Sequence, residues 1–399
     1  MTQVETTTSG ADQPILDGEE TDFPPQADAS AQRRIREPQW DCLRFAATAA
    51  VVLIHVLAFA FNAVRFAPPV ALQAHFDDLR ALSQALRWAV PSFALLTGVL
   101  VWGRPWNGGF AKYVDFLRRR AMVVALPYLV WSCVYYVLRP SVMGVHLPPG
   151  RIAWFWDFLN KLVDGTVWFH LYFVPIVLVL YLLTPPAAKL ARLSPEAFVL
   201  GVVALSLAWR VTFFAQAATY VPWGALLNNV IAYAPYAAMG AWIAVRKDLV
   251  RKVLMWTWPL LLAGGLYGLW QIGAKTLRFT DADRLADLAM HLPVRLRYES
   301  LGMLIGFAAV LGMLGLAWFV SGRWGRMDRA IESMYPASFG IYLVHPLVTS
   351  AVVSVSLRYL LPVQLLSWWW IGVAWVAVFA ITWVIVWLML RTKLTRWTM

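Results

Sequence analysis

Four polar residues near the start of the first long apolar segment fall on one face of a helix: Asp41, Arg44, Thr48 and His55. At 3.6 residues per turn, all four lie within roughly 60° of one another, and Arg44 and His55 are about 16 Å apart along the axis. Ionisable groups inside a membrane span are costly, which makes them functional candidates. The histidine is the stronger candidate, because an imidazole titrates near neutrality and suits proton transfer.

The same residues could also have purely structural roles. Arg44 could extend to the membrane interface and pair with Asp41 as an ordinary ion pair three residues apart. His55 could instead hydrogen-bond a neighbouring helix. We favour a chemical role for His55, since an imidazole at that depth has few structural uses.

A second polar face occurs near the carboxyl end, where Ser338, Tyr342 and His345 share one side of a predicted helix. These three are candidates for the acceptor side of a site, and the alternative is a histidine that merely bonds a neighbouring helix. Pro346 follows directly and predicts a kink.

The remaining histidines indicate less. His170 and Trp168 fit an aromatic belt at the membrane interface better than a site. Three others, His75, His146 and His291, lie in predicted outer loops without the spacing of metal ligands, so we expect no metal. A nucleophile elbow and a phosphate-binding glycine loop are both missing, which argues against a hydrolase or an ATPase.

Composition defines the elements that must position these residues. Of 399 residues, 60% are apolar and only 14% are charged, and the mean hydropathy is +0.60. Soluble domains carry about 25% charged residues, so the chain is expected to be a polytopic membrane protein. The bases are scattered between apolar segments, which argues against nucleic-acid binding despite the net charge of +12. Cys42 and Cys133 form no disulfide framework.

The predicted fold is an all-α polytopic membrane protein with about ten transmembrane helices and no soluble catalytic domain. Residues 1–38 are interpreted as a disordered acidic cytoplasmic tail, 39–391 as the transmembrane domain, and 392–399 as a short cytoplasmic tail. An excess of Lys and Arg on one side, 20 against 12, predicts that both termini are cytoplasmic. The predicted spans are 41–63, 86–103, 121–139, 166–188, 197–217, 227–245, 253–273, 298–320, 337–358 and 364–390.

The first helix resembles that of the acyltransferase-3 family of integral-membrane acyltransferases. Residues 40–46 read W-D-C-L-R-F-A, and ten residues separate Arg44 from His55, as in the family's arginine–histidine pattern. Further matches follow in order along residues 38–390. They are V-P-S-F-A-L-L-T-G at 90–98, with Thr97 where serine is usual; a basic loop at 116–120 before a third helix; V-W-F-H-L-Y-F at 167–173, where His170 follows rather than precedes an aromatic pair; and S-F-G-I-Y-L-V-H-P at 338–346.

The resemblance implies transfer of an acyl group, commonly acetyl from acetyl-CoA, to a sugar hydroxyl of an envelope glycan or lipid-linked glycan. Acyl-CoA would be a co-substrate, with no permanently bound cofactor, and the protein would lie in the inner (cytoplasmic) membrane. His55 would be the general base or a transient acyl carrier, and Asp41 would hold Arg44. Four arginines would bind the CoA phosphates, although the run of three also suits topology anchoring: Arg44, Arg118, Arg119 and Arg120.

Two other functions use the same residues. A transporter or exporter of a glycan intermediate or proton-coupled solute would also place His and Arg in a cavity. A passive scaffold for envelope enzymes would not need the polar face of the first helix. The acyltransferase hypothesis predicts that His55→Ala and Arg44→Ala abolish acylation while the protein still inserts.

Overall fold

The computed structural model describes residues 37–64, 73–144, 147–213, 223–276, 292–321, 323, 331–332 and 334–392. Every regular element in these ranges is helical, and none of them forms a strand. The predicted acidic tail lies almost entirely outside the described residues, as does most of the predicted tail 392–399.

Fourteen α-helices follow one another in the described chain: α1 Pro38–Ala63, α2 Gln73–Ala85, α3 Ala89–Thr97, α4 Phe110–Arg120, α5 Leu126–Met143, α6 Arg151–Asp164, α7 Phe173–Leu182, α8 Thr184–Leu193, α9 Pro195–Thr212, α10 Gly224–Val245, α11 Lys247–Thr276, α12 Leu292–Val320, α13 Ser338–Ser356 and α14 Trp368–Arg391. A 3₁₀ turn, Leu86–Trp88, joins α2 to α3, and a π-helical turn, Gly98–Trp102, continues α3. A second π turn, Ala121–Ala125, joins α4 to α5. Two further 3₁₀ turns, Tyr335–Ala337 and Pro362–Leu366, precede α13 and α14.

The all-α polytopic fold is confirmed. Within the described ranges, eight helices are long and apolar enough to cross a membrane, and nine if the bent pair α7–α8 counts as one span. Each of the ten predicted spans overlaps one or more helices in the described ranges, although residues 214–217 of the span 197–217 lie outside them. The segment 227–245 lies on α10, which is not one of the eight or nine and which carries Asn228 and Asn229 in its first turns.

Three local predictions were wrong. His75, expected in an outer loop, lies in the first turn of α2, whereas His146 and His291 of the same prediction lie outside the described residues. The predicted span 166–188 begins with the irregular residues 165–172 and then bends by 66° between α7 and α8. Pro185 and Pro186, in the first turn of α8, lack the N–H groups that would continue the hydrogen bonding of α7. The predicted basic loop 116–120 is the end of α4, and it runs through the π turn into α5.

Helix α1 lies at the centre of the molecule. It packs against α3, α12, α13 and α14. Its first half contributes Trp40, Leu43 and Ala47 to one buried apolar cluster, and its second half contributes Val56 and Leu57 to another. Burial on several sides fixes the rotation of α1 and therefore the direction of its polar face.

Helices α3 and α10 approach each other backbone to backbone. A Cβ atom on Gly98 would lie 1.9 Å from the carbonyl oxygen of Ala237, and one on Gly240 would lie 2.1 Å from that of Leu95. Only glycine fits at these two crossing points, as is common where membrane helices pack tightly. This contact sets α3 and α10 beside α1, where both contribute side chains to a cavity.

Candidate functional site

The histidines of the two polar faces meet. Helices α1 and α13 pack side by side, and His55 Nδ1 lies 2.6 Å from His345 Nε2. The two rings are stacked, with centroids 4.9 Å apart and planes 22° from parallel. His345 is fully buried, and its Nδ1 lies 2.9 Å from the carbonyl oxygen of Ile341. The sequence placed these histidines on two separate faces, and the structure joins them as a histidine pair.

The hydrogen-bond geometry assigns a tautomer to each ring. A carbonyl oxygen can only accept, so His345 Nδ1 must carry the hydrogen that it donates to Ile341. In the neutral ring, His345 Nε2 is then an acceptor, and His55 Nδ1 must donate to it. The remaining nitrogen, His55 Nε2, is left with its lone pair. A neutral histidine whose Nδ1–H is held by a partner is the usual arrangement of a general base.

A third histidine, His170, joins the pair. Its ring centroid lies 5.5 Å from that of His345 and 6.2 Å from that of His55. The residue is only 1% exposed, and neither ring nitrogen has a hydrogen-bond partner among the described groups. The Tyr342 hydroxyl donates to its carbonyl oxygen. The interpretation of His170 and Trp168 as an interfacial belt was therefore wrong, because both side chains are buried.

The irregular segment 165–172 carries His170 into this position. Gly165 ends α6 with φ +71°, and the amides of Gly165 and Thr166 donate to the carbonyl oxygens of Leu162 and Lys161 in a Schellman motif. A Cβ on Gly165 would lie 2.4 Å from Tyr172 Cα, so the segment folds back on itself. The sequence contained a signal for it: His170 directly precedes Leu171-Tyr172-Phe173, which is the usual order in the family pattern, with the aromatic pair four residues later than Trp168-Phe169.

His55 and His170 line a cavity of about 270 Å³, which we call the histidine cavity. Its wall also contains the hydroxyl groups of Tyr172 and Tyr233, which lie 3.1 Å apart, and the side chain of Arg87. The remaining wall is apolar or aromatic: Val51, Ile54, Val90, Phe93, Phe173 and Tyr342. A few convergent polar groups in an aromatic pocket are typical of a small-molecule site.

A second cavity of about 390 Å³ adjoins it, which we call the arginine cavity. Three guanidinium groups line it: those of Arg44 on α1, Arg104 after α3 and Arg120 at the end of α4. Phe93, Phe173 and Tyr342 line both cavities and form the wall between them. Because Arg44 precedes His55 by about three turns of α1, the arginines lie at one end of the two adjoining cavities and the histidine pair at the other.

Not all of the predicted arginines reach the cavity. Arg118 and Arg119 are exposed and do not line it, whereas Arg120 does, with its guanidinium 5.1 Å from the ring centroid of Tyr181. Arg44 lies 3.2 Å from the Asp41 carboxylate, so the predicted ion pair is present. Of the predicted acceptor-side residues, Ser338 lines the arginine cavity and Tyr342 lines both cavities.

Two arginines of the cavities were missed as site residues. Arg104 follows the second predicted span and Arg87 lies at its start, and both were counted only as topology signals. Helix α3 runs antiparallel to α1, so its two flanking arginines reach opposite cavities. Sequence charge counts treat each flanking base alike, whereas only packing shows which base faces inward.

The three histidines do not form a metal site. Across the described ranges, no group of three or more His, Cys, Asp or Glu side chains is placed to hold a metal ion. The Nδ1 of His345 and the facing nitrogens of the histidine pair are also already engaged in hydrogen bonds.

Comparison with known proteins supports the resemblance read from the motifs. The model of the acyltransferase domain family Acyl_transf_3 matches residues 37–387, nearly the whole described chain. No curated protein and no solved structure matches the chain.

Proposed function

The chain belongs to this family of integral-membrane acyltransferases, and we propose that it transfers an acetyl group from acetyl-CoA to a hydroxyl of an envelope glycan or lipid-linked sugar. The observation that carries the proposal is the common wall of the two cavities, which sets a group of arginines beside a histidine pair. We place the protein in the cytoplasmic membrane with the arginine cavity facing the cytosol, where acyl-CoA is made.

The arginine cavity suits the acyl donor. Coenzyme A carries several phosphates, and guanidinium groups bind phosphate oxygens through paired hydrogen bonds. Arg44, Arg104 and Arg120 converge on this cavity, and the rest of its lining is mostly apolar. An apolar wall between the arginines and the histidines suits the less polar arm that carries the thioester.

The histidine pair suits the transfer step. The oxygen of the acceptor hydroxyl attacks the thioester carbonyl carbon and forms the new C–O bond, while His55 Nε2 accepts the proton of that hydroxyl. The C–S bond then breaks, and the coenzyme A thiolate takes the proton back from His55. The products are the O-acyl sugar and free coenzyme A. His345 acts as a positioning residue, because it holds His55 Nδ1 and stabilises the charge that His55 gains.

His170 suits stabilisation of the tetrahedral intermediate. A neutral imidazole has one N–H, and the carbonyl oxygen that acts on this ring, that of Leu343, already accepts a hydrogen bond from the Tyr135 hydroxyl. A buried donor without a partner costs free energy in the resting protein. That donor can bind an oxyanion which exists only during the reaction, as preorganised donors do in other acyl transfers.

The test compares envelope glycans by mass spectrometry in cells that lack the gene and in cells complemented with variants. Wild type and His75→Ala restore the acetyl mass, and His55→Ala does not, with all proteins inserted at equal levels. His75 is the matched control, because it bonds the Leu366 carbonyl oxygen and lines neither cavity. Full acetylation by His55→Ala would refute the mechanism.

A second arm separates transfer from transport. Purified protein in lipid nanodiscs should release coenzyme A from acetyl-CoA in the presence of acceptor. Protein that moves glycan across vesicles and releases no coenzyme A would instead be a transporter. A stoichiometric release without acceptor would show that His55 carries the acetyl group covalently.

A further inference from the structure

Arg87 is a cation in the histidine cavity that the transfer mechanism does not use. It lies in the 3₁₀ turn Leu86–Trp88, before α3, and its side chain lines the cavity together with His55. Among the described residues, no carboxylate pairs with it and no group hydrogen-bonds its guanidinium. Arg87 is an exposed residue, and an accessible guanidinium at the cavity wall, with no carboxylate partner among the described residues, can bind an anion.

The surroundings of Arg87 suit one ring-shaped ligand. The Tyr172 and Tyr233 hydroxyls lie 3.1 Å apart, and both residues line the same cavity as Arg87. Aromatic rings of Phe93 and Phe173 complete this side of the cavity. The volume of about 270 Å³ is just below the roughly 300–1,000 Å³ of pockets for drug-sized ligands, so it suits a single sugar unit.

We propose that the histidine cavity selects an acidic sugar: an acceptor whose carboxylate or phosphate pairs with Arg87 while a hydroxyl of the same unit faces His55. This inference rests on the proposed function, since it names the class of acceptor. The two tyrosine hydroxyls donate or accept hydrogen bonds with the ring hydroxyls, and the aromatic walls cover the ring faces.

The arginines of the arginine cavity support separate anion-binding positions for the donor and the acceptor. Arg44, Arg104 and Arg120 already provide cations for the phosphates of the donor, and all three line the arginine cavity. Arg87 is separated from them by the wall of Phe93, Phe173 and Tyr342. A second anion-binding position beyond that wall is therefore best explained by a second anionic substrate.

The experiment measures binding of three small probes to the full chain in nanodiscs: methyl glucoside, methyl glucuronide and glucosyl phosphate. Ligand-observed NMR gives the affinities without requiring turnover, and coenzyme A release gives KM for any probe that is acylated. We expect one or both anionic probes to bind about tenfold or more tightly than the neutral one, as a charge-assisted hydrogen bond in a cavity would give. The two anionic arms show whether the acid is a carboxylate or a phosphate.

Three variants complete the test. Arg87→Gln should abolish the preference for the anion, and Arg87→Lys should keep part of it. Arg80→Gln is the matched control and should keep all of it, because Arg80 lies on α2 with its guanidinium 5.7 Å from the ring centroid of Phe76 and lines neither cavity.

Three results would overturn the proposal: equal binding of the neutral and anionic probes to wild type, an unchanged preference in Arg87→Gln, or an effect of Arg87→Gln on acetyl-CoA alone. Arg87-dependent binding of an anionic probe without any coenzyme A release would instead refute the proposed function and leave the anion site in place.

Discussion

The two cavities share three aromatic residues and differ in nearly everything else. The arginine cavity contains three guanidinium groups from three separate segments of the chain and has no histidine in its lining. The histidine cavity contains two imidazoles, two paired tyrosine hydroxyls and a single arginine. Groups that bind a permanent charge are thus concentrated at one end of α1, and groups that can move a proton are concentrated at the other.

Under the proposed function, this difference separates donor binding from the chemical step along one helix. Arg44 and His55 project from the same face of α1 about 16 Å apart, so a substrate held at the first must extend past the aromatic wall to react at the second. The physical consequence is that variants in the two cavities should fail differently. Changes among the histidines should lower kcat, and changes among the arginines should raise KM for acetyl-CoA.

The largest effect is expected from His55→Ala. Loss of the proposed general base should lower kcat about 10²–10⁴-fold, because His55 is the cavity histidine whose Nδ1 is held by His345 and whose Nε2 keeps its lone pair. Acetyl-CoA should bind with unchanged Kd, measured by calorimetry on the purified protein. A weaker Kd with normal kcat would place His55 in donor binding and erase the distinction between the cavities.

Removal of His345 should give the next largest effect. His345→Ala leaves His55 Nδ1 without its acceptor, and we expect kcat to fall about 10- to 100-fold with KM for acetyl-CoA unchanged. His345→Gln offers a side-chain oxygen as the acceptor and should recover part of the loss. Equal losses of stability and activity in both variants would show that His345 only supports packing.

A smaller effect is expected from the arginines, where the chain supplies its own control. Arg120→Ala removes a cavity-lining guanidinium and should raise KM for acetyl-CoA about 10-fold, as the loss of one charge-assisted hydrogen bond predicts, with kcat within twofold of wild type. Arg118→Ala removes an exposed arginine of the same helical turn and should change neither constant. If both variants behaved alike, the three consecutive arginines 118–120 would act through general surface charge rather than through the arginine cavity.

The elements of this comparison could be predicted from the sequence to different degrees. The apolar spans and the polar face of α1 follow from composition and from helical periodicity, which are local properties. The bend between α7 and α8 was also a local property, encoded by two adjacent prolines, although the sequence analysis passed over it. The close crossing of α3 and α10 was not local, since it depends on two glycines far apart in the chain.

The candidate site was harder to predict from the sequence, because its contacts are also not local. His55 and His345 were each singled out, but their contact joins residues 290 positions apart, and no periodicity encodes it. His170 was misplaced because an irregular segment has no period from which to read a face. Arg87 and Arg104 resembled the other flanking bases until the antiparallel packing of α1 and α3 placed them in opposite cavities.

The smallest effect is expected from Asp41→Asn. Asp41 and Arg44 form a partly exposed ion pair three residues apart, with side chains 11% and 18% exposed, and such pairs contribute about 0.2–1 kcal/mol. Loss of the carboxylate should let the guanidinium leave the cavity more often, and KM for acetyl-CoA should rise about two- to fivefold with kcat unchanged. A lower KM would mean that Asp41 competes with the phosphates for Arg44. In that case the Arg44 guanidinium would reach the phosphates only when its ion pair opens, in contrast to Arg87 of the histidine cavity, with which no described carboxylate pairs.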